Sequence, residues 1–356
     1  MIKSLDVKGF TVLPDGRFQF ARGVNVVIGS NGTGKSHLLK LAYTAARWSR
    51  EMSEREKGQG RPDKATLQKE LGGKLVRVFR PEGLGRLSTR GQGVHRTEVG
   101  IAFHESAGAG FRFSFSTKST TDATLDKPPS AFFDGESVFF PTKEMLSMFP
   151  GFTALYRKVE IQIDETYFDL CLALEMPLSR GRKLAEVKPL LDQAEAVLGG
   201  PITIENGRFY LSQEGKGKFE ISLIAEGFRK FGALAHLLAN GTLARQSILF
   251  WDEPETNLNP AYMRKVAEIL VAIARNGTQV VAATHSLFIM RELSLQLGLD
   301  ANHGVERRFF ALGATDGRAA VHAGDSAESI EPIDALDVEI DQSQRFLDAQ
   351  STAGPR

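Results

Sequence analysis

Three short stretches, far apart in the chain, carry the residue types that handle phosphate chemistry. In Gly29-Ser30-Asn31-Gly32-Thr33-Gly34-Lys35-Ser36 the glycines let successive backbone N–H groups curl around an anion, and a lysine and a serine follow at the fixed spacing of a P-loop. A helix that starts at Lys35 adds the positive end of its dipole to the same place. In this reading Lys35 reaches the β- and γ-phosphates of a bound nucleotide and Ser36 holds Mg2+. The second stretch is Asp252-Glu253-Pro254-Glu255, which closes the apolar run Ser247–Trp251. Asp252 is placed to hold Mg2+ and Glu253 to orient and polarise an attacking water. The third is Thr284-His285-Ser286, which closes another apolar run, Thr278–Ala283, and lets a neutral imidazole at His285 hydrogen-bond a γ-phosphate.

The elements around these stretches must bring them together. Val24–Ile28 reads as a buried strand and Lys35–Trp48 as a helix through Leu38, Leu39, Ala42 and Ala45, so the glycine-rich turn joins strand to helix. From Ile221 to Ile289 the pattern is strand, helix, strand, helix, strand, helix, as in a parallel sheet covered by helices, where ligands bind at the carboxyl edge. Leu5–Val12 and Arg17–Phe20 read as strands joined at Asp15-Gly16 and flanking the nucleotide site. Between Arg50 and Gly73 the polar composition and the Gly72-Gly73 pair predict an exposed excursion with one short helix; strand signals dominate from Leu75 to Phe115. Phe111, Phe113 and Phe115 alternate with polar residues and read as core packing on one sheet face. Val138–Phe140 is a buried strand running into Pro141. Leu184–Leu198 is a helix stopped by Gly199-Gly200-Pro201, and Asn206-Gly207 marks a hairpin.

Bulk properties exclude several classes. With a net charge of +1 over 356 residues, no global field draws the chain to nucleic acid or a membrane, so any such partner must meet a local patch. The single cysteine, Cys171, rules out an intrachain disulfide and a cysteine-rich metal site; its apolar neighbours make it a small buried thiol, as suits a reducing cytoplasm. The N-terminal residues carry charges too often for a secretion signal, and no run approaches the roughly 20 apolar residues that span a bilayer, so no transport pore is expected.

Together, Asn31 within the P-loop, Asp252-Glu253-Pro254 and His285 resemble the ABC ATPase superfamily, specifically its soluble branch with the SMC, RecF and OLD-type ATPases. The likeness covers residues 1–36 and about 220–292 well. Phe140-Pro141-Thr142-Lys143-Glu144-Met145-Leu146, Ala225-Glu226-Gly227-Phe228-Arg229-Lys230 and Trp251 to Pro260 are similar to bacterial AAA-family or AbiEii-like ATPases linked to phage defence. The resemblance implies an α/β P-loop NTPase of ABC-ATPase type, a parallel-sheet core with an added antiparallel sheet and a helical lobe. It divides the chain into an N-terminal head part (1–49), an inserted antiparallel-sheet and helical lobe (50–220), a C-terminal head part (221–322) and an acidic tail (323–356). It implies ATP and Mg2+, a cytoplasmic location and a homodimer formed with ATP. It places the ABC signature at Ala225, Glu226 and Gly227, supplied to the partner copy's phosphate, with an alanine where a serine is common, and Asn259 in the D-loop where an aspartate is common. Phe140–Glu144 is the candidate for the Mg2+-sensing loop. Phe18, Phe20 and Arg22 are candidates for the base, with core or surface roles as the alternative.

Two further features point to partners. Lys74, Arg77, Arg80, Arg86, Arg90 and Arg96 form a locally basic region that either meets the phosphates of DNA or RNA or is a solvated surface whose arginines pair with acids elsewhere. Asp325, Glu328, Glu331, Asp334, Asp337, Glu339 and Asp341, interspersed with aliphatics, form an acidic end that docks on a basic surface or remains solvated. The functional classes are the regulatory ATPase of an anti-phage or toxin system with a separate effector (nuclease or toxin), a RecF/SMC-like DNA-repair ATPase, and a transporter nucleotide-binding subunit.

Overall fold

The computed structural model describes residues 1–315, 318–330 and 333–352. Strands β1 (Ile2–Lys8) and β2 (Gly16–Gln19) precede β3 (Val24–Gly29), which the glycine loop joins to helix α1 (Lys35–Gln59) and then α2 (Lys64–Phe79). There follow β4 (Arg96–Phe103), β5 (Phe111–Ser116), β6 (Thr124–Lys127), β7 (Ser137–Phe140), the helices α3 (Phe152–Lys158), α4 (Glu165–Leu174) and α5 (Arg182–Leu198), and the small sheet β8 (Ile202–Glu205), β9 (Arg208–Gln213) and β10 (Gly217–Glu220). The chain then runs through α6 (Glu226–Ala239), β11 (Ile248–Asp252), α7 (Pro260–Arg275), β12 (Gln279–Thr284), α8 (Leu287–Gly298), β13 (Arg307–Thr315), β14 (Arg318–Gly324) and α9 (Asp334–Thr352).

The central sheet has the order β14-β13-β3-β12-β11-β7, parallel except for β14. Strands β3, β7, β11 and β12 are buried along their whole length because both faces of the sheet are covered there. In β3, Val24, Val26 and Ile28 pack into one core with α4 to α8, while Val27 packs into a second core with α1 and the antiparallel sheet. Each such buried aliphatic contributes roughly 1.5–3 kcal/mol. The second sheet, β2-β1-β4-β5-β6, is antiparallel. It takes two strands from before the glycine loop and three from after it, and β1 pairs with β4 rather than lying beside β3. Phe111, Phe113 and Phe115 are buried on its inner face, as their alternation predicts. Asn206 and Gly207, both at positive φ, turn the β8–β9 hairpin.

Two sequence expectations are corrected. The stretch from Arg50 to Phe79 is not an exposed excursion followed by strand: α1 continues to Gln59 and α2 occupies Lys64–Phe79, capped by the Asp63 carboxylate accepting from the Thr66 N–H at 2.8 Å. Arg47–Glu51 and Arg50–Glu54 pairs, one turn apart, help carry α1 forward. Gly72 is not a helix breaker; a Cβ there would collide with the Thr121 carbonyl, so the glycine lets α2 lie against the 117–124 segment. The expected strand at Ile221 is a single 3-10 turn, Ile221–Leu223, that leads into α6.

Cys171 is fully buried, and burial pushes its thiol up to about 12. In the acidic end, Asp325 pairs with Arg308 at 2.7 Å, and Glu339 on α9 pairs with Arg291 on α8 at 3.4 Å. Glu331 lies outside the described residues.

Candidate functional site

The parallel register explains how residues more than two hundred positions apart meet. Ile28 stands opposite Thr284, and Ala283 opposite Asp252, so the carboxyl ends of β3, β12 and β11 finish level with one another. The glycine loop, His285 and the Asp252-Glu253 pair therefore leave the sheet at one edge.

Gly34 takes φ 96° and caps α1 with no side-chain acceptor, and the first turn of α1 contains no acid. The helix's free N–H groups and its positive dipole end thus face the loop without a carboxylate of their own. Lys35 is 6% exposed and its ammonium donates to the carbonyls of Gly29 at 2.7 Å and Ser30 at 2.9 Å. Burial lowers its pKa, and Glu253, Asp252 and Glu255 act against that shift.

Asp252 is buried, and burial raises the pKa of its carboxyl, with the Ser36 side chain, Lys40 and Lys35 acting the other way. Among the described residues Asp252 Oδ1 has no hydrogen-bond partner. A buried carboxylate oxygen without a donor is costly unless a cation completes it. Ser36 and Asp252, two neighbouring hard oxygen donors, therefore fit a magnesium ion that leaves room for phosphate oxygens and water.

Glu253 begins the turn after β11 at φ 51°, a strained angle for a glutamate, and its N–H donates to Ala283 O at 2.8 Å. Its carboxylate, partly exposed, lies 3.2 Å from His285 Nδ1. The histidine thus meets the expected water-orienting group directly.

Two further residues at this edge have no role among the sequence-based expectations. Glu255 is buried and accepts from the Thr284 hydroxyl at 2.6 Å and the His285 N–H at 3.3 Å, tying the third stretch to the second. Lys230, on α6, is 2% exposed and its ammonium points to the Glu253 carbonyl at 3.3 Å. The acidic turn legible in Asp-Glu-Pro-Glu could have flagged Glu255; nothing local could have flagged Lys230.

The remaining sequence candidates are placed as follows. Ala225, Glu226 and Gly227 form the start of α6, where Ala225 offers no side-chain cap. Asn259 caps α7, its side chain accepting from the Tyr262 N–H at 3.1 Å. Glu144 is held by Arg229 at 2.7 Å, which joins the segment after β7 to α6. Phe18 and Phe20 are buried against Phe310, at ring separations of 5.9 and 5.5 Å, so they are core residues and not base contacts; Arg22 pairs with Glu105. Beside the glycine loop there is instead a cleft of about 980 Å3 lined by Val12, Leu13, His37, Phe79, Arg86 and Arg90, among others.

Within the basic patch only Lys74 is corrected, and Arg77, Arg80, Arg86 and Arg96 match the alternative of a surface paired with acids. Lys74 is fully buried and pairs with Glu51 at 2.8 Å and Asp169 at 2.9 Å, so it meets no outside phosphate. Arg77 pairs with Glu165, Arg80 with Glu160, Arg86 with Glu82 and Arg96 with Asp126. These residues look inward or to acids of the same surface. No helix among the described residues is long and apolar enough to cross a membrane.

Among solved structures, the chain is similar to an SMC head bound to the C-terminal winged-helix domain of ScpA, at 14% identity and TM-score 0.57 over 92% of this chain and 98% of that one. It is also similar to an SMC head with an extended coiled coil bound to the C-terminal domain of ScpA derived from Pyrococcus furiosus, at 13% identity and TM-score 0.50 over 98% and 99%. At these identities the likeness shows the fold, that of an SMC-head P-loop ATPase. No curated protein matches the chain in sequence. A family model described as "AAA domain, putative AbiEii toxin, Type IV TA system" matches residues 24–291, about three quarters of the chain and all three phosphate-handling stretches, and the protein belongs to that family of ABC/SMC-like AAA ATPases.

Proposed function

We propose that the chain binds Mg2+-ATP on the Gly29–Ser36 loop, hydrolyses it slowly, and uses the γ-phosphate to clamp two copies head to head. We propose it further as the regulatory ATPase of a bacterial anti-phage or toxin system that acts through a separate effector. The observation that carries the nucleotide reading is the convergence of Lys35, Ser36 and the incompletely satisfied Asp252 on one edge of the sheet. The family description, which names a toxin system, supports the biological half.

In this mechanism Lys35 leaves its loop carbonyls for the β- and γ-phosphates, and the loop's N–H groups take the remaining oxygens. When bound, Mg2+ neutralises charge that develops on the phosphates. Ser36 and Asp252 would hold that ion. Glu253 orients the attacking water, and His285, 3.2 Å from it, fixes the carboxylate on the γ-phosphate side. The base would enter the cleft of Val12, Leu13 and His37 beside the loop. The first turn of α6 from the partner copy would bring its N–H groups to the γ-phosphate, a contact available only in the closed pair, which is what lets ATP favour that state.

The DNA-repair alternative loses Lys74, which is fully buried, while Arg77, Arg80, Arg86 and Arg96 each pair with an acid of this chain. The test is the mass in solution of Glu253→Gln with and without Mg2+-ATP. A dimer that forms only with ATP and persists is expected; a variant that stays monomeric at saturating nucleotide counts against the clamp.

A further inference from the structure

The turn that carries Glu253 is bracketed by two non-glycine residues at positive φ, Glu253 itself at 51° and Asn257 at 63°. Such a turn persists only if its surroundings hold it. Helix α6 touches it at both ends. At the far end Gly227 lies so close that a Cβ would come within 2.6 Å of the Asn257 carbonyl and 2.5 Å of Leu258. At the near end, one turn further along α6, the Lys230 ammonium reaches the Glu253 carbonyl.

Lys230 is an unusual choice for that job on packing grounds alone. Burying a lysine costs free energy unless the charge is matched. Burial does lower its pKa, against the pull of Glu255, Glu226, Glu253 and Asp252. A neutral donor would have satisfied one carbonyl at less cost. The cation is set where three acids of the nucleotide edge need balancing and where the glutamate expected to orient water begins its turn.

We infer that Lys230 is a positioning residue for hydrolysis: from α6 it fixes the Glu253 turn through the Glu253 carbonyl, and so sets the direction of the Glu253 carboxylate. The inference rests on the reading that Glu253 orients the attacking water. Lys230 is not among the residues expected to hold nucleotide or Mg2+, so its loss should act on turnover and not on nucleotide affinity. It also ties the segment Ala225–Gly227, which the clamp brings to the partner's phosphate, to the catalytic turn of its own chain.

The experiment compares ATP turnover and equilibrium nucleotide binding for the full chain carrying Lys230→Met, Lys230→Gln or Glu253→Gln. Misplacement of a catalytic group by about 1 Å costs on the order of 100-fold. Lys230→Met is therefore expected to lower kcat by about 10- to 100-fold with KM and nucleotide Kd within about threefold. Lys230→Gln, which keeps a donor but not the charge, falls between it and the parent. If Lys230→Met does not fold, Lys230→Gln decides alone: lower kcat at unchanged Kd supports the inference. Unchanged kcat overturns it, as does a parallel loss of kcat and nucleotide affinity. If Glu253→Gln itself keeps full turnover, the reading of the site has failed; if it is inactive while both Lys230 variants turn over normally, only the role of Lys230 has.

Discussion

Helix α1 helps to build two clusters of buried charge, and they differ in how fully they are satisfied. At its N-terminus Lys35 and Ser36 face Asp252, Glu253 and Glu255, where Asp252 Oδ1 and Glu255 Oε2 have no hydrogen-bond partner among the described residues. Two to four turns later Tyr43, Arg47 and Glu51 meet Lys74 of α2 and Glu165 and Asp169 of α4. There the Tyr43 hydroxyl donates to Asp169 at 2.7 Å, Lys74 pairs with Glu51, Glu165 and Asp169, and Arg47 pairs with Glu51 and Asp169. The first cluster is short of donors and of positive charge, and the second is closed. A closed network specifies how three helices dock, whereas an open one at the edge of a parallel sheet marks a place for a charged ligand. Conservative changes should therefore have opposite consequences in the two places.

The largest effect is expected from Lys74→Met. It leaves Asp169, Glu165 and Glu51 facing one another without their shared cation, and breaking a buried network in this way costs about 3–5 kcal/mol. Denaturant unfolding at constant pH measures it. The pH dependence has a defined sign. Burial lowers the Lys74 pKa, but Asp169, Glu51 and Glu165 outweigh it and hold it above 10.5, so its contribution is complete below 10.5 and is lost as pH rises through the raised value. For Asp169, burial is outweighed by Lys74 and Arg47, so its pKa lies below 3.8 and its contribution fades only as pH falls through that lower value. In Lys74→Met the native state takes up protons more readily than the parent, so the stability deficit should narrow as pH falls from 8 toward 5. A deficit that stays constant over that range would show that lost packing, not charge, is responsible.

At the open cluster, Asp252→Asn should do little to the nucleotide-free fold and much to its chemistry. It removes a buried charge that the protein alone does not match, so stability without ligand should stay within about 1 kcal/mol of the parent or rise slightly. Turnover should drop by about 100- to 1,000-fold, as when one preorganised electrostatic group is removed. The same variant should lose the stabilisation that Mg2+-ATP gives the parent, about 2.7 kcal/mol at a ligand concentration one hundred times Kd. Thermal shift with Mg2+-ATP against ATP and a chelator reads this directly. If Asp252→Asn destabilised the apo-protein as much as Lys74→Met does, the contrast between an open and a closed cluster would be gone.

The open cluster was legible in the sequence and the closed one was not, for a physical reason. A P-loop, a carboxylate pair after an apolar strand and a histidine after another are each encoded within eight residues, and the parallel register then carries them to one edge. In the sequence Lys74 looks like part of a surface patch because its partner Asp169 lies 95 residues away and on another helix. The same holds for α2, whose Gly72 and Gly73 look like breakers until the carbonyl of Thr121 is seen where a Cβ would go. The sequence predicts a strand over Leu5–Val12, whereas β1 spans Ile2–Lys8, and its pairing with β4, across the whole of α1 and α2, depends on tertiary packing. Lys230 falls between these cases: its stretch resembles a family segment, yet its contact with Glu253 exists only once α6 and β11 have packed.

The smallest effect tests whether the open cluster is completed by a second copy as well as by the ligand. Ala225 caps α6 without a side-chain acceptor. A serine there can accept from a first-turn N–H and should stabilise the nucleotide-free chain by about 0.5–1 kcal/mol whatever the assembly. In the clamped pair the same hydroxyl would also donate to the partner's γ-phosphate, worth about 1–1.5 kcal/mol, or roughly a tenfold lower dimer Kd. Sedimentation of Ala225→Ser in the Glu253→Gln background, with ATP and with ADP, separates the two contributions. Tighter dimerisation with ATP alone is expected. An equal gain with both nucleotides, or a gain in stability with no gain in dimerisation, would mean that the start of α6 meets no γ-phosphate and that the nucleotide edge is closed by something other than a second copy.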